Sequence, residues 1–156
     1  MVFQHVELSD QRKIESTSSD CETIQTFCGY LLDELRKFYE LSHIKQNYNV
    51  TFAVRDGLVC AISTPFGNAR GRLDIHLAGD ELAGRYVFEK SVVAEDGRDI
   101  WVPVWAIRIS RYGDVRLGDE GEIAISVTNV GPFSNAISAP GKSLLYRIAS
   151  TPLFSK

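Results

Sequence analysis

The sequence predicts an α+β domain in which one long N-terminal helix packs against a curved, mainly antiparallel sheet of five to seven strands. Three observations predict it. Apolar residues recur in steps of three and four through residues 19–46, the period of one helix face. Beyond Asn47 the apolar period falls to two, in segments separated by Gly, Asp and Asn, as in successive half-buried strands. A long helix with one apolar side must bury that side, and the strands after it are the large surface available.

The 156 residues and 44% hydrophobic content suit one core. We read residues 1–18 as an N-terminal arm or short strand and residues 19–156 as a single α+β domain. In the arm, "VFQHVEL" has a strand-like pattern and "SDQRKIESTSSD" is a polar tether. Ser19 followed by Glu22 has the spacing of a capping box, which satisfies the free amides of a helix start. The stripe then runs through Ile24, Phe27, Cys28, Leu31, Leu35, Phe38 and Tyr39.

In "NYNVTFAVRDGLVCAIST" the Asp56-Gly57 pair predicts a two-residue hairpin turn, with Arg55 opposite Leu58 and Val54 opposite Val59. Both faces of this hairpin are apolar, which predicts an interior place in the sheet. "RLDIHLAGDELAGRYVFEKSVV" reads as a second hairpin, with Leu73, Ile75 and Leu77 on one face and Arg72, Asp74 and His76 on the other. In "IWVPVWAIRIS", Trp101, Trp105, Ile107 and Ile109 fall on alternate positions. Pro103 cannot donate to a ladder and predicts an edge, a bulge or a bend there. A further strand has Ile123, Ile125 and Val127 inward and Glu122, Ser126 and Thr128 outward. Residues 142–150 fit a helix through Leu144, Leu145 and Ile148, or a strand through Leu144, Tyr146 and Ile148; we adopt the strand, ended by Pro152.

Composition bounds the function. The chain is acidic, with a net charge of −3, which argues against a general grip on nucleic-acid backbones. The apolar runs are too short for a membrane span, and the N-terminus lacks the pattern of a secretory signal. Cys21, Cys28 and Cys60 form no even set, which predicts free thiols in a reducing compartment and a cytoplasmic location. No metal or cofactor is expected: His5, His43 and His76 have no ligand spacing.

No catalytic group is assigned. Asp74 and His76 stand about 6.6 Å apart along one strand face, which a half-solvated strand produces unaided. "SAPGKS" has the Gly-Lys-Ser of a phosphate loop, but Ala136 stands where that loop needs its first glycine. Cys21 reads as a small buried residue of the helix stripe.

Arginine and tyrosine are enriched at binding hot spots. Arg72, Asp74, His76, Arg85, Arg108, Arg111 and Tyr112 are therefore the candidate partner-binding face of a small non-catalytic protein-binding domain: an adaptor, inhibitor, chaperone-like or immunity-type protein. The alternative is a ligand-binding or hydrolytic domain with a pocket between helix and sheet, lined by Phe38, Tyr39, Trp101 and Trp105. A homodimer is also expected to be accessible, because a sheet with an open edge finds partners.

Overall fold

A computed structural model describes residues 1–127 and 135–154 of the chain. Its order is α1 (Leu8–Lys13), a 3₁₀ turn (Ile14–Ser16), α2 (Thr17–Glu40) and α3 (Ser42–Tyr48). The strands follow: β1 (Thr51–Arg55), β2 (Val59–Thr64), β3 (Gly67–Ala78), β4 (Glu81–Val93), β5 (Asp99–Ile109), β6 (Asp114–Leu117) and β7 (Ile123–Ser126). Helix α4 (Asn135–Ser150) closes the chain. The seven strands form one antiparallel meander in sequence order, curled into a half-barrel whose concave side holds α2 and α4. This is the predicted fold class. No helix among the described residues is long and apolar enough to cross a membrane.

The sequence misjudges where the main helix starts and stops. Residues 8–16 are already helical, so they are neither strand nor free arm. Their 3₁₀ turn feeds straight into α2, the amides near Ser19 have helical partners, and the capping box never forms. Ser16 at the N-cap makes no side-chain bond either. At the far end Leu41 adopts an extended ψ of 135°. That residue breaks the predicted rod, and α3 continues in a new direction. Of the predicted stripe, Ile24, Cys28, Leu31, Leu35, Phe38 and Tyr39 are buried, and Phe27 is partly buried against them.

The β1–β2 loop has three residues, Asp56, Gly57 and Leu58, with positive φ at Gly57 and Leu58. Arg55 therefore opposes Val59, and Val54 opposes Cys60. The extra residue shifts the register by one, which exchanges the two faces of a strand: Cys60 and Ile62 enter the core. The hairpin also stands at the edge of the sheet, not inside it.

Pro103 does mark a bulge. Phe88 pairs with Trp105 but Glu89 pairs with Pro103, so Val104 is the extra residue. The bulge separates the tryptophans: Trp105 stays on the concave side, stacked on Phe88 at 5.9 Å, while Trp101 turns to the convex side. A second bulge in the β6–β7 pair sets Ile125 opposite Val115 but Ile123 opposite Arg116. Ile125 and Val127 are buried as predicted, whereas Ile123 is 53% exposed. Thr128 lies outside the described residues.

Residues 142–150 are helix, not strand. Ile137, Leu144, Leu145 and Ile148 are buried while Tyr146 is 68% exposed; a strand would put Leu144, Tyr146 and Ile148 on one face. Helix α4 docks on α2 at Gly141, where a β-carbon would stand 2.5 Å from the Phe38 ring and where the Tyr39 hydroxyl donates to the carbonyl at 2.7 Å. The far end of α4 is held by Lys90, only 2% exposed, whose Nζ donates to the carbonyls of Ile148 and Thr151 at 2.8 and 2.6 Å.

Candidate functional site

Strand alternation sorts the side chains of β1–β6 into a core face and a convex face that no helix covers among the described residues. Register builds the convex face in rows. One row runs Asp74, Arg85, Arg108 and Arg116 across β3 to β6. A second runs Ala53, Ala61, Arg70, Glu89 and Pro103. Between them lie Arg72, Val87 and Ala106.

Within the first row three guanidinium groups stand side by side, and one carboxylate relieves their repulsion. Asp119, on the loop after β6, accepts from Arg85 Nε and Nη2, both at 2.8 Å. Arg108 Nε lies 3.4 Å from the same carboxylate, a charge contact without hydrogen-bond geometry. The bond from Arg85 is the main reason the Asp119 carboxyl titrates below its ordinary range. Arg116 donates to the Gly121 carbonyl at 3.1 Å.

In the second row Glu89 is buried between arginines, with Oε1 at 3.1 Å from Arg70 Nε and 3.5 Å from Arg72 Nε. The Arg70 guanidinium carbon lies 4.1 Å from the centre of the Trp101 ring, within the range of a cation–π contact. Trp101 borders a shallow cleft of about 420 Å³ that also involves Thr51, Ala53, Ser63 and Asn68.

The predicted partner-binding residues divide. Arg72, Asp74, His76, Arg85 and Arg108 share the convex face. His76 Nδ1 is 3.1 Å from Asp74 Oδ2, with both side chains exposed, so the acid does reach the imidazole. Arg111 and Tyr112 lie apart, on the β5–β6 turn. Arg111 donates to Asp20 of α2 at 3.1 Å and to the Tyr112 hydroxyl at 2.6 Å, which makes it a strap between sheet and helix.

The four aromatic residues expected to line a pocket do not meet around one. Phe38 and Tyr39 are core residues, and Tyr39 stacks on Phe52 at 5.5 Å. Trp105 borders small clefts beside α4, and Trp101 is on the opposite side of the sheet. The larger concavity is an open groove of about 750 Å³ lined by Cys21, Glu22, Gln25 and Thr26 of α2 with Leu58, Leu73 and Ile75. Cys21 is thus half-buried on a groove wall, not in the core. Gly141, Lys142 and Ser143 lie inside α4, so "SAPGKS" makes no phosphate loop.

Sequence reasoning missed Glu89, Lys90 and Asp119. For Lys90 a signal existed: it continues the alternating series Tyr86, Phe88, Lys90, Val92 on the core face. Asp119 sits in an acidic tip that reads as solvated, and nothing local says that the tip folds back over Arg85. No protein-family model, curated protein or solved structure matches the chain.

Proposed function

We propose that the protein is a non-catalytic protein-binding domain of a reducing compartment, the cytoplasm, and that its convex sheet face docks an acidic surface of a partner. What carries the reading is local charge against global charge. A chain of net charge −3 gathers Arg55, Arg70, Arg72, Arg85, Arg108 and Arg116 on one uncovered face, together with a half-exposed Trp101. Arginine and tryptophan lead the residue types found at hot spots; the arginines outnumber Asp74, Glu89 and Asp119, which share the face, and an excess of positive charge both selects an acidic partner and speeds encounter. Arg72 keeps its side chain 62% exposed despite its contact with Glu89. The three free cysteines fit a reducing compartment.

The test is affinity capture from the native host by the full chain, with quantitative mass spectrometry. Truncating two hot-spot groups, Arg72→Ala with Trp101→Ala, is expected to reduce capture of a stoichiometric partner by about thirtyfold or more. Lys45→Ala on α3 serves as a control and should leave capture intact. Undiminished capture by the double variant, with its fold checked by circular dichroism, would refute the docking face. A small molecule retained in the Leu58–Leu73 groove would instead favour the ligand-binding reading.

A further inference from the structure

Strand β3 is longer than the strand that covers it. β2 pairs with β3 from Gly67 to Gly71, the last pair being Cys60 with Gly71, whereas β3 stays paired with β4 as far as Ala78. Among the described residues no strand lies beside residues 72–78 on that side. The result is a seven-residue notch with no strand on its edge, closed at one end by the β1–β2 loop and bordered at the other by the Gly79–Asp80 turn, where Lys13 of α1 pairs with Asp80 at 2.8 Å. Beneath it runs the groove lined by Leu58, Leu73 and Ile75.

We propose that this notch is filled by the same segment of a second copy, running antiparallel about a twofold axis at Ile75. The pattern of the strand is self-complementary in that register. Ile75 meets Ile75 of the second copy, Leu73 meets Leu77, and Asp74 meets His76. All apolar pairs fall on the groove side and both acid–imidazole pairs on the convex side. Because side chains alternate with period two, a slip by one residue would oppose Leu to Asp and lose both sets. Arg85, which flanks Asp74 on β4, adds a cation of each copy to the cluster. Length fits as well: seven residues meet seven, and the turn at Gly79 and Asp80 of one copy arrives where β2 of the other departs. A twofold interface needs such a patch, matching itself when reversed.

The outer edges of β1 and β7 fit less well. β1 centred on Ala53 would set Thr51 against Arg55 and Phe52 against Val54, with no opposite charges, and β7 has no ionised side chain within its four residues. The β3 pairing joins strand edges and shares Asp74, His76 and Arg85 with the convex face, but it leaves out Arg72 and Trp101, whose truncation tests the docking reading separately.

Sedimentation equilibrium of the full chain over a dilution series tests it. A reversible dimer is expected. Leu77→Lys, at a half-exposed position, should raise the dissociation constant by more than about tenfold without changing the melting curve. Asp74→Lys should weaken the dimer, and adding His76→Asp to it should restore affinity by exchanging the charges in the same register. Should Leu77→Lys perturb folding, the Asp74/His76 exchange decides alone, since both side chains are exposed. A monomer at every concentration would overturn the proposal. So would a dimer indifferent to the exchange, or one abolished by deleting residues 1–7 while indifferent to Leu77→Lys.

Discussion

Two buried thiols make the fold sensitive to alkali by an amount that can be worked out. Cys28 and Cys60 lie in the core at 0% exposure. Burial pushes the Cys28 thiol from 9.0 up to about 12, with Cys60 beside it adding to the shift. Burial likewise raises Cys60 to about 11, partly opposed by a hydrogen bond with Tyr86. An acid that is harder to ionise in the folded state stabilises the fold below the unfolded value of 9.0 and loses that contribution as pH rises toward the folded values. At pH 10 the unfolded chain has gained a decade of ionisation at each thiol while the folded chain has gained almost none. A decade corresponds to about 1.4 kcal/mol, so the pair removes roughly 2–3 kcal/mol between pH 7 and pH 10, a sizeable part of a stability of about 5–15 kcal/mol. Urea unfolding under reducing conditions at both pH values measures it, with the Cys28→Ala/Cys60→Ala variant as reference. Buried Tyr39 and Tyr86 are present in both proteins and are raised first by desolvation; Cys60 adds to both shifts, so the part that the thiols contribute is counted with them. Equal losses in wild type and variant would refute the reasoning.

Gly84→Ala should destabilise by about 1–3 kcal/mol through overpacking, because the new β-carbon would stand 2.6 Å from the Ile24 methyl and 2.9 Å from the Ile109 carbonyl; a neutral urea midpoint would show that α2 does not seat there. Lys90 has the opposite pH behaviour to the thiols, since desolvation lowers its pKa from 10.5. Between the lowered value and 10.5 the unfolded chain holds the extra proton, so the stability of wild type relative to Lys90→Met should rise with pH; a flat difference in paired melts would place Lys90 in contact with water.

The period of the sequence reveals element type and facing, but not where the period is interrupted. Arg72, Asp74 and His76 against Leu73 and Ile75 are legible because β3 alternates without a break. Trp101 and Ile123 face the other way because a bulge separates each from the residues that the period aligns it with, and one extra residue exchanges the faces on its two sides. Pro103 announces the first bulge; the second, at Arg116, has no such marker. The β1–β2 register failed for a similar reason: Asp56-Gly57 allows a two-residue turn, and the third residue, Leu58, adopts positive φ at a cost that only its seat against Gly29 and under Tyr86 explains. Helix α4 was missed because Pro140 and Gly141 weaken its local propensity. What fixes it is remote: the Phe38 ring at Gly141, the Tyr39 hydroxyl and the buried Lys90.

The sequential strand order has a consequence for how the protein assembles. Each strand finds its neighbour across a short turn, so the sheet can zip up through a series of small loop closures, a route that favours rapid formation. The bond between Tyr39 and Gly141 spans 102 residues and bears a much larger closure entropy. Docking of the last helix on the first is therefore expected to come late: Tyr39 can already stack on Phe52 of the nearby β1, but until α4 arrives the Phe38 ring lacks its cover at Gly141, and a chaperone or protease would find its target there.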